Sequence, residues 1–305
     1  MLQRWSQYAS LPRHLLALRC CFVGFVSLDS LCQQPSSAYK SDSLRDIRSR
    51  LSVVSLAESE RSLLRYLQEY PASVEARFLL GYILFRGQRP KESLAEFTEG
   101  AKHQRPAAND LKTVASDYIL LGDLVDAEKW LSIVTQEKPE DAEAWYLLGR
   151  TKYNENRFAE AITCFRRTLE LQAGNVRAEN NLGLSYLGLN QVDLGKAAFE
   201  TAIGWQEGAL SKDAQPYLNL GILLTDQGQP EKALFYLEQA VKLAAYNPKA
   251  HEELGRTYAL LRMTSEARHE LEQVECPACF VPVAKRELDE ESVWDVGKST
   301  NLSRW

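Results

Sequence analysis

Nowhere in the chain do the roughly 18 to 20 apolar residues that a membrane-spanning helix needs run together. A surplus of positive charge is also missing: 36 Lys and Arg stand against 41 Asp and Glu, a formal net charge of −5. Phosphate binding needs a basic surface that displaces counterions, so this balance argues against a nucleic-acid partner. Histidine is scarce, with four residues (His14, His103, His251 and His269) too scattered to nominate a catalytic triad. His251-Glu252 and His269-Glu270 each lack the second histidine of a zinc-protease helix and read as solvated helix faces. Gly183-Leu-Ser185-Tyr-Leu187 falls one residue short of a hydrolase nucleophile elbow, and Gly195-Lys196 has no glycine before it at phosphate-loop spacing. No catalytic group and no cofactor motif emerges, which points to a non-enzyme.

Six cysteines are too few for a disulfide framework in 305 residues. Cys20, Cys21 and Cys32 lie in or beside an N-terminal leader, leaving Cys164, Cys276 and Cys279. Cys276-Pro-Ala-Cys279 has three readings: two ordinary thiols, a local disulfide in an oxidising compartment, or half of a zinc site whose second pair is absent. Residues 1–38 carry Arg4, Arg13 and Arg19, one acid (Asp29) and a short apolar stretch from Cys20 to Leu28. A basic start followed by an apolar centre resembles a secretory signal peptide, though Arg19 shortens the apolar part and no Ala-x-Ala site follows. A removed signal predicts a periplasmic or secreted protein; a transit peptide or an unstructured or tethering leader stays open, and without a signal the chain is cytoplasmic.

What the chain does have is a period. Gly81, Ala115, Gly149, Gly183, Gly221 and Gly255 follow one another at steps of 34, 34, 34, 38 and 34 residues, each preceded by Leu or Val. Units begin near Val74, Ala108, Ala142, Val176, Ala214 and Pro248, and turn-forming stretches such as Gly87-Gln-Arg-Pro90 and Gly228-Gln-Pro230 divide each into two helices. A mid-helix glycine costs about 1 kcal/mol relative to alanine, so its recurrence in register implies a packing reason. Two antiparallel helices approach closely only where side chains are small, which places Gly149 and Ala161 at a crossing flanked by Trp145, Leu148 and Phe165. The 38-residue step puts four extra residues into the connection around Gln206 to Asp213. Residues 39–73 keep the register weakly, as a degenerate unit or N-terminal cap; 74–275 form the six-unit array; 276–305 are a tail with a candidate capping helix. A stack of this kind needs no single globular core.

The fullest copy, Trp145…Leu148-Gly149…Tyr153…Ala161…Phe165, resembles the tetratricopeptide repeat. Lys152, Thr168 and Ala173 depart from the family's usual residues. The resemblance implies an all-α, right-handed superhelix (an α-solenoid) of antiparallel helix pairs, whose concave wall, built from the first helix of each pair, binds a protein or peptide. Its expected lining includes Phe78, Tyr82 and Phe85 in one unit and Tyr146, Arg150 and Tyr153 in another, both at i, i+4, i+7 spacing on one helix face. Packing against the neighbouring unit is the competing role for that face. Asn181 and Asn219, each in an Asn-Leu-Gly triplet, look like rungs of an amide ladder for a peptide backbone. The carboxylate clamp of some family members lacks its second lysine, because Glu252 stands in that place. The implied function is a non-catalytic scaffold or adaptor, with oligomeric state open. The alternatives are an accessory component of an enzyme complex, such as a glycosyltransferase, and a cell-envelope assembly protein.

Overall fold

The computed structural model describes residues 37–51 and 53–275. Residues 44–275 belong to one compact unit. Two helices come first, α1 (Ser37–Arg50) and α2 (Leu56–Glu69), and six pairs follow. The pairs are α3 (Val74–Arg86) with α4 (Pro90–Ala101), α5 (Ala108–Leu120) with α6 (Leu124–Glu137), and α7 (Ala142–Asn154) with α8 (Phe158–Leu171). After them come α9 (Val176–Gly188) with α10 (Val192–Gly204), α11 (Gln215–Asp226) with α12 (Pro230–Leu243), and α13 (Pro248–Leu260) with α14 (Thr264–Glu275). No strand occurs among the described residues, and the chain is an α-solenoid.

Local chemistry sets the start of four pairs and the turn within all six. Ser73, Asp141, Asn175 and Asn247 cap the first helices, their side-chain oxygens accepting from backbone N–H groups of the first turn. Inside every pair the turn passes through one left-handed residue: Gln88, Gly122, Asn156, Asn190, Gly228 and Arg262, with φ between 56° and 76°. These follow the same steps as the repeating glycines. Glycine and asparagine suit that conformation, whereas at Gln88 and Arg262 it costs about 1 kcal/mol, which the flanking helix pair must offset.

The small residues act as notches. A Cβ built on Gly149 would lie 2.7 Å from the Phe165 ring, one on Gly81 2.7 Å from Phe97, and one on Gly183 2.6 Å from Phe199. At Gly221 and Gly255 the neighbour is Leu237 or Leu271. Each knob comes from the second helix of the same pair, 16 residues on. Each glycine thus admits a bulky side chain, and the backbones come close 12 residues on, the register expected for Gly149 and Ala161: a Cβ on Gly183 or Gly195 would meet the opposite carbonyl at 3.0–3.1 Å, and one on Gly255 the Ala267 carbonyl at 3.3 Å. Phe97, Phe165, Phe199, Leu131 and Leu237 are fully buried. At about 25 cal/mol per Å² of apolar surface, burying each of them is worth roughly 1.5–3 kcal/mol.

Units are joined by polar contacts in the same register. Arg89 grips Glu92 on its own helix and Glu60 on α2; Arg157 grips Glu160 and, on α6, Glu128. That equivalence gives α2 the place of a second helix. Lys152, unexpected where tyrosine is usual, is buried and pairs with Glu128. Burial works against the Glu128 charge, but Lys152 and Arg157 hold its carboxyl below the ordinary range.

Asp117 is fully buried on α5, with Oδ2 2.5 Å from the Ser93 hydroxyl and Oδ1 without a partner. The same hydroxyl lies 2.8 Å from the Gly81 carbonyl. One hydroxyl proton cannot serve both oxygens. With Asp117 protonated, the chain runs from its O–H to Ser93 and from the Ser93 O–H to the carbonyl. Burial pushes the Asp117 carboxyl up to about 7, against the opposing pull of the Ser93 hydrogen bond.

Two outcomes test this packing. Gly149→Ala gains helix propensity but drives a methyl into the Phe165 ring, so a net loss of about 1–2 kcal/mol is expected in urea unfolding. Phe165→Leu in the same chain should recover part of that loss. Because the native state holds the Asp117 proton to higher pH than the unfolded chain, stability should fall as pH rises from about 4 to about 7 and then level off. Asp117→Asn should flatten that slope and, at pH 8, raise stability by about 1–3 kcal/mol, read from denaturation curves across pH.

Candidate functional site

Successive first helices meet directly, α3 with α5, α5 with α7, α7 with α9 and α11 with α13, while no two successive second helices make comparable contacts. The more closely spaced layer of a curved stack is its inner one. The first helices therefore form the concave wall, and side chains projecting from them form the candidate site.

The structure divides the expected lining residues by depth. Phe78 is buried: its ring fills the space beside Gly100, where an added Cβ would lie 2.5 Å away, and stacks on Phe97 with centroids 5.7 Å apart. Tyr146 is buried too, 6.0 Å from the Phe165 ring. These two are corrected from groove lining to packing. Both share a face with their i+4 and i+7 neighbours, but they sit nearer the start of the helix, where Phe78 meets Phe97 and Gly100 of α4 and Tyr146 meets Phe165 of α8.

Tyr82 is exposed, with the Arg86 guanidinium 5.9 Å over its ring, and Phe85 is half-buried. Tyr153 is half-buried, edge-on to Phe158 at 5.5 Å. Arg150 lies half-buried at 5.8 Å from the Tyr146 ring centroid, and Arg177, from the next unit's first helix, is exposed at 5.4 Å from that same ring. The two guanidiniums thus share one aromatic surface, a favourable arrangement of about 0.5–1 kcal/mol per contact where partly exposed. Sequence reasoning missed Arg177, although it stands one residue into the helix capped by Asn175, on the same wall.

The two asparagines act between units. Asn181 Nδ2 donates to the Tyr146 hydroxyl at 3.0 Å, and Asn219 Nδ2 donates to Asn180 Oδ1 at 2.8 Å. Each amide ties its helix to the previous first helix, leaving its own carbonyl oxygen outside that bond.

Other candidates fall away on geometry. His251 is buried, correcting its reading as a solvated face: Nδ1 lies 2.6 Å from Glu270 Oε2 and Nε2 3.0 Å from the Ala245 carbonyl. Ser185 is buried within α9, where it donates to the Asn181 carbonyl. Burial pushes the Cys164 thiol up to about 11, which rules out a ready nucleophile. No group of His, Cys, Asp and Glu among the described residues is arranged to hold a metal ion. No described helix is long and apolar enough to cross a membrane. Cys276 and Cys279, like the leader, lie outside the described residues.

A wall of paired helices repeated in register defines a helical-repeat solenoid. The tetratricopeptide repeat family matches at residues 54–109, 142–175, 176–208 and 214–247, just over half of the chain. The chain belongs to the tetratricopeptide repeat family. Among solved structures it is similar to a tetratricopeptide repeat protein from Parabacteroides merdae, with 19% identity, 78% of this chain and 93% of that one covered, and a TM-score of 0.65. The APC/C hetero-tetramer Cut9-Hcn1 shows 17% identity over 72% of this chain and 42% of its own, with a TM-score of 0.60. Pseudomonas aeruginosa pilF shows 16% identity over 70% and 96%, with a TM-score of 0.57. At these identities the likeness concerns the fold. Among curated proteins, the mouse (Mus musculus) protein O-mannosyl-transferase TMTC1 is 25% identical over 169 residues, 54% of this chain; the match spans 18% of that protein's length.

The depth of each aromatic dictates what its removal does. Tyr146→Ala should cost about 3 kcal/mol or more through a cavity against Phe165, whereas Tyr82→Ala should cost under about 1 kcal/mol. Chemical denaturation of the two variants checks this, and equal losses would contradict the assigned depths.

Proposed function

We propose that this protein is a non-catalytic scaffold that binds a protein or peptide segment on the concave wall of its first helices. The observation that carries this reading is the set of large side chains left accessible on that wall. Tyr82, Phe85, Arg150 and Tyr153 belong to the aromatic and arginine classes that most often anchor interfaces. The buried polar groups are, by contrast, absorbed in packing between helices, and no reactive group points into the wall.

A second reading is that the array is an accessory part of an enzyme system. The similarity to a stretch of the mouse O-mannosyl-transferase favours it. In that case the protein contributes binding and another chain contributes chemistry. Where the protein works is tied to the leader at 1–38, and N-terminal sequencing of the mature chain distinguishes an exported from a retained protein.

Affinity capture on the full chain supplies the partner. The double variant Tyr82→Ala, Phe85→Ala should weaken its binding at least about tenfold, with thermal stability close to wild type. Undiminished binding by that variant, with equal loss from substitutions on the second helices, would place the interface elsewhere. Co-purifying mannosyl-transferase activity would select the second reading.

A further inference from the structure

The seam between the first two pairs breaks the pattern of the array at two matched places. Ser93 of α4 stands where the other second helices carry Ala127, Ala161, Gly195, Ala233 and Ala267. Asp117 of α5 stands where the other first helices carry the uncharged Ile83, Thr151, Ser185, Leu223 and Thr257. The two exceptions meet. The Ser93 hydroxyl lies 2.5 Å from Asp117 Oδ2 and 2.8 Å from the Gly81 carbonyl of α3, so three helices converge on one hydroxyl. Both side chains are fully buried, and Asp117 Oδ1 meets no donor from the chain.

The seam gives Asp117 no counter-charge, and only the Ser93 hydrogen bond opposes the effect of burial on its carboxyl. Among cations on the surrounding helices, Arg77 of α3 pairs with Glu96, Lys102 of α4 with Glu99, Lys112 of α5 with Asp141 and Glu143, and Lys152 of α7 with Glu128. Arg86 of α3 lies over the Tyr82 ring, and Lys129 of α6 over the Trp130 ring. Asp123 and Asp126, at the start of α6, bear on the adjacent Tyr118 together with Asp117 and add only negative charge.

A protonated Asp117 donates to Ser93, and Ser93 to the Gly81 carbonyl, which ties α5, α4 and α3 in one chain. Removing the proton breaks a link, because one hydroxyl cannot donate to two oxygens. It also leaves a buried negative charge without a cation, a costly state that water entering the seam would relieve. A stacked array can open at a single joint, since each unit contacts only its neighbours. We propose that the Asp117 proton is a latch on the joint between the first and second pairs: held, it locks α4 against α5, and lost, it lets that joint open while the rest of the array stays closed. Burial pushes the carboxyl up to about 7, so the latch releases as pH rises through neutrality. Tyr82 and Phe85 follow Gly81 on α3, which puts the latch at their end of the concave wall. The joint stands whether or not that wall binds; only its effect on a bound segment rests on the binding reading.

Hydrogen–deuterium exchange of the full chain at pH 5 and pH 8, corrected for the intrinsic rate at each pH, tests the latch. Amides of α4 and α5 should lose protection at pH 8 by about tenfold or more, while those of α9 and α10 keep theirs. Asp117→Asn, which keeps a donor beside Ser93 at every pH, should hold α4 and α5 at one level of protection. Carbon-13 NMR of the Asp117 carboxyl in the unaltered chain covers the case in which that variant fails to fold. Its titration should share a midpoint with the loss of protection. Equal protection at both pH values, equal loss along the whole array, a pH-dependent loss that survives in Asp117→Asn, or a carboxyl titrating in the ordinary carboxylate range would each overturn the proposal. None of these outcomes bears on binding by Tyr82 and Phe85, which the double variant at those positions tests separately.

Discussion

Everything in this array depends on a side-chain notch. A residue without a bulky side chain on the first helix admits a ring or branched chain from the second, and the same fit recurs in the five pairs that carry a glycine there. The fit is steric before it is hydrophobic: a single methyl group at Gly81, Gly149 or Gly183 would overlap an aromatic ring that has nowhere to go. Because the knob stands at a constant distance along the chain from its notch, one local rule fixes the angle of every pair. Similar pairs stacked in register must then bring first helices close to one another and leave second helices apart, which is how a local packing rule generates a long concave wall.

The register of that rule was legible in the sequence because it rests on residue size alone. Six small residues at nearly constant steps announced the pairs, and turn residues such as Gly87 and Gly228 announced the bends. Gln88 and Arg262 adopt the same left-handed turn conformation, yet nothing in their chemistry suggests it; the flanking helices impose it. Depth was less legible. A spacing of four and seven residues assigns a helix face but not the axial level at which the partner helix ends. Phe78 and Tyr146 therefore looked equivalent to Tyr82 and Arg150, from which burial separates them.

His251 was misjudged for a related reason. An acid or histidine in mid-helix reads as solvated unless the chain supplies a partner, and here the partners come from other helices. Asp117 is received by Ser93 of the preceding unit, and His251 by Glu270 of the following helix. The Asn-Leu-Gly triplets suggested amides free to meet a ligand, whereas Asn181 and Asn219 link first helix to first helix. Their repetition was correctly seen, but repetition in an array serves neighbouring units as readily as it serves a bound peptide.

The junction between the fourth and fifth pairs shows how the array tolerates a change of period. Four extra residues lengthen the connection from α10 to α11, and the buried Gln206 side chain closes the loop by bonding both the N–H and the carbonyl of Asp213. Asp213 in turn accepts from the Gln215 N–H at 2.8 Å, setting the start of α11. The backbones of α9 and α11 approach each other less than other successive first helices do, and the hydrogen bond from the Asn219 amide to Asn180 spans the interval. A longer loop that is clasped at its base changes the spacing of two units without losing their register, since Gly221 still receives Leu237 as Gly183 receives Phe199. The insertion thus adjusts the wall where the amide-bearing units meet, beside the arginine pair, and leaves the notch rule intact on both sides.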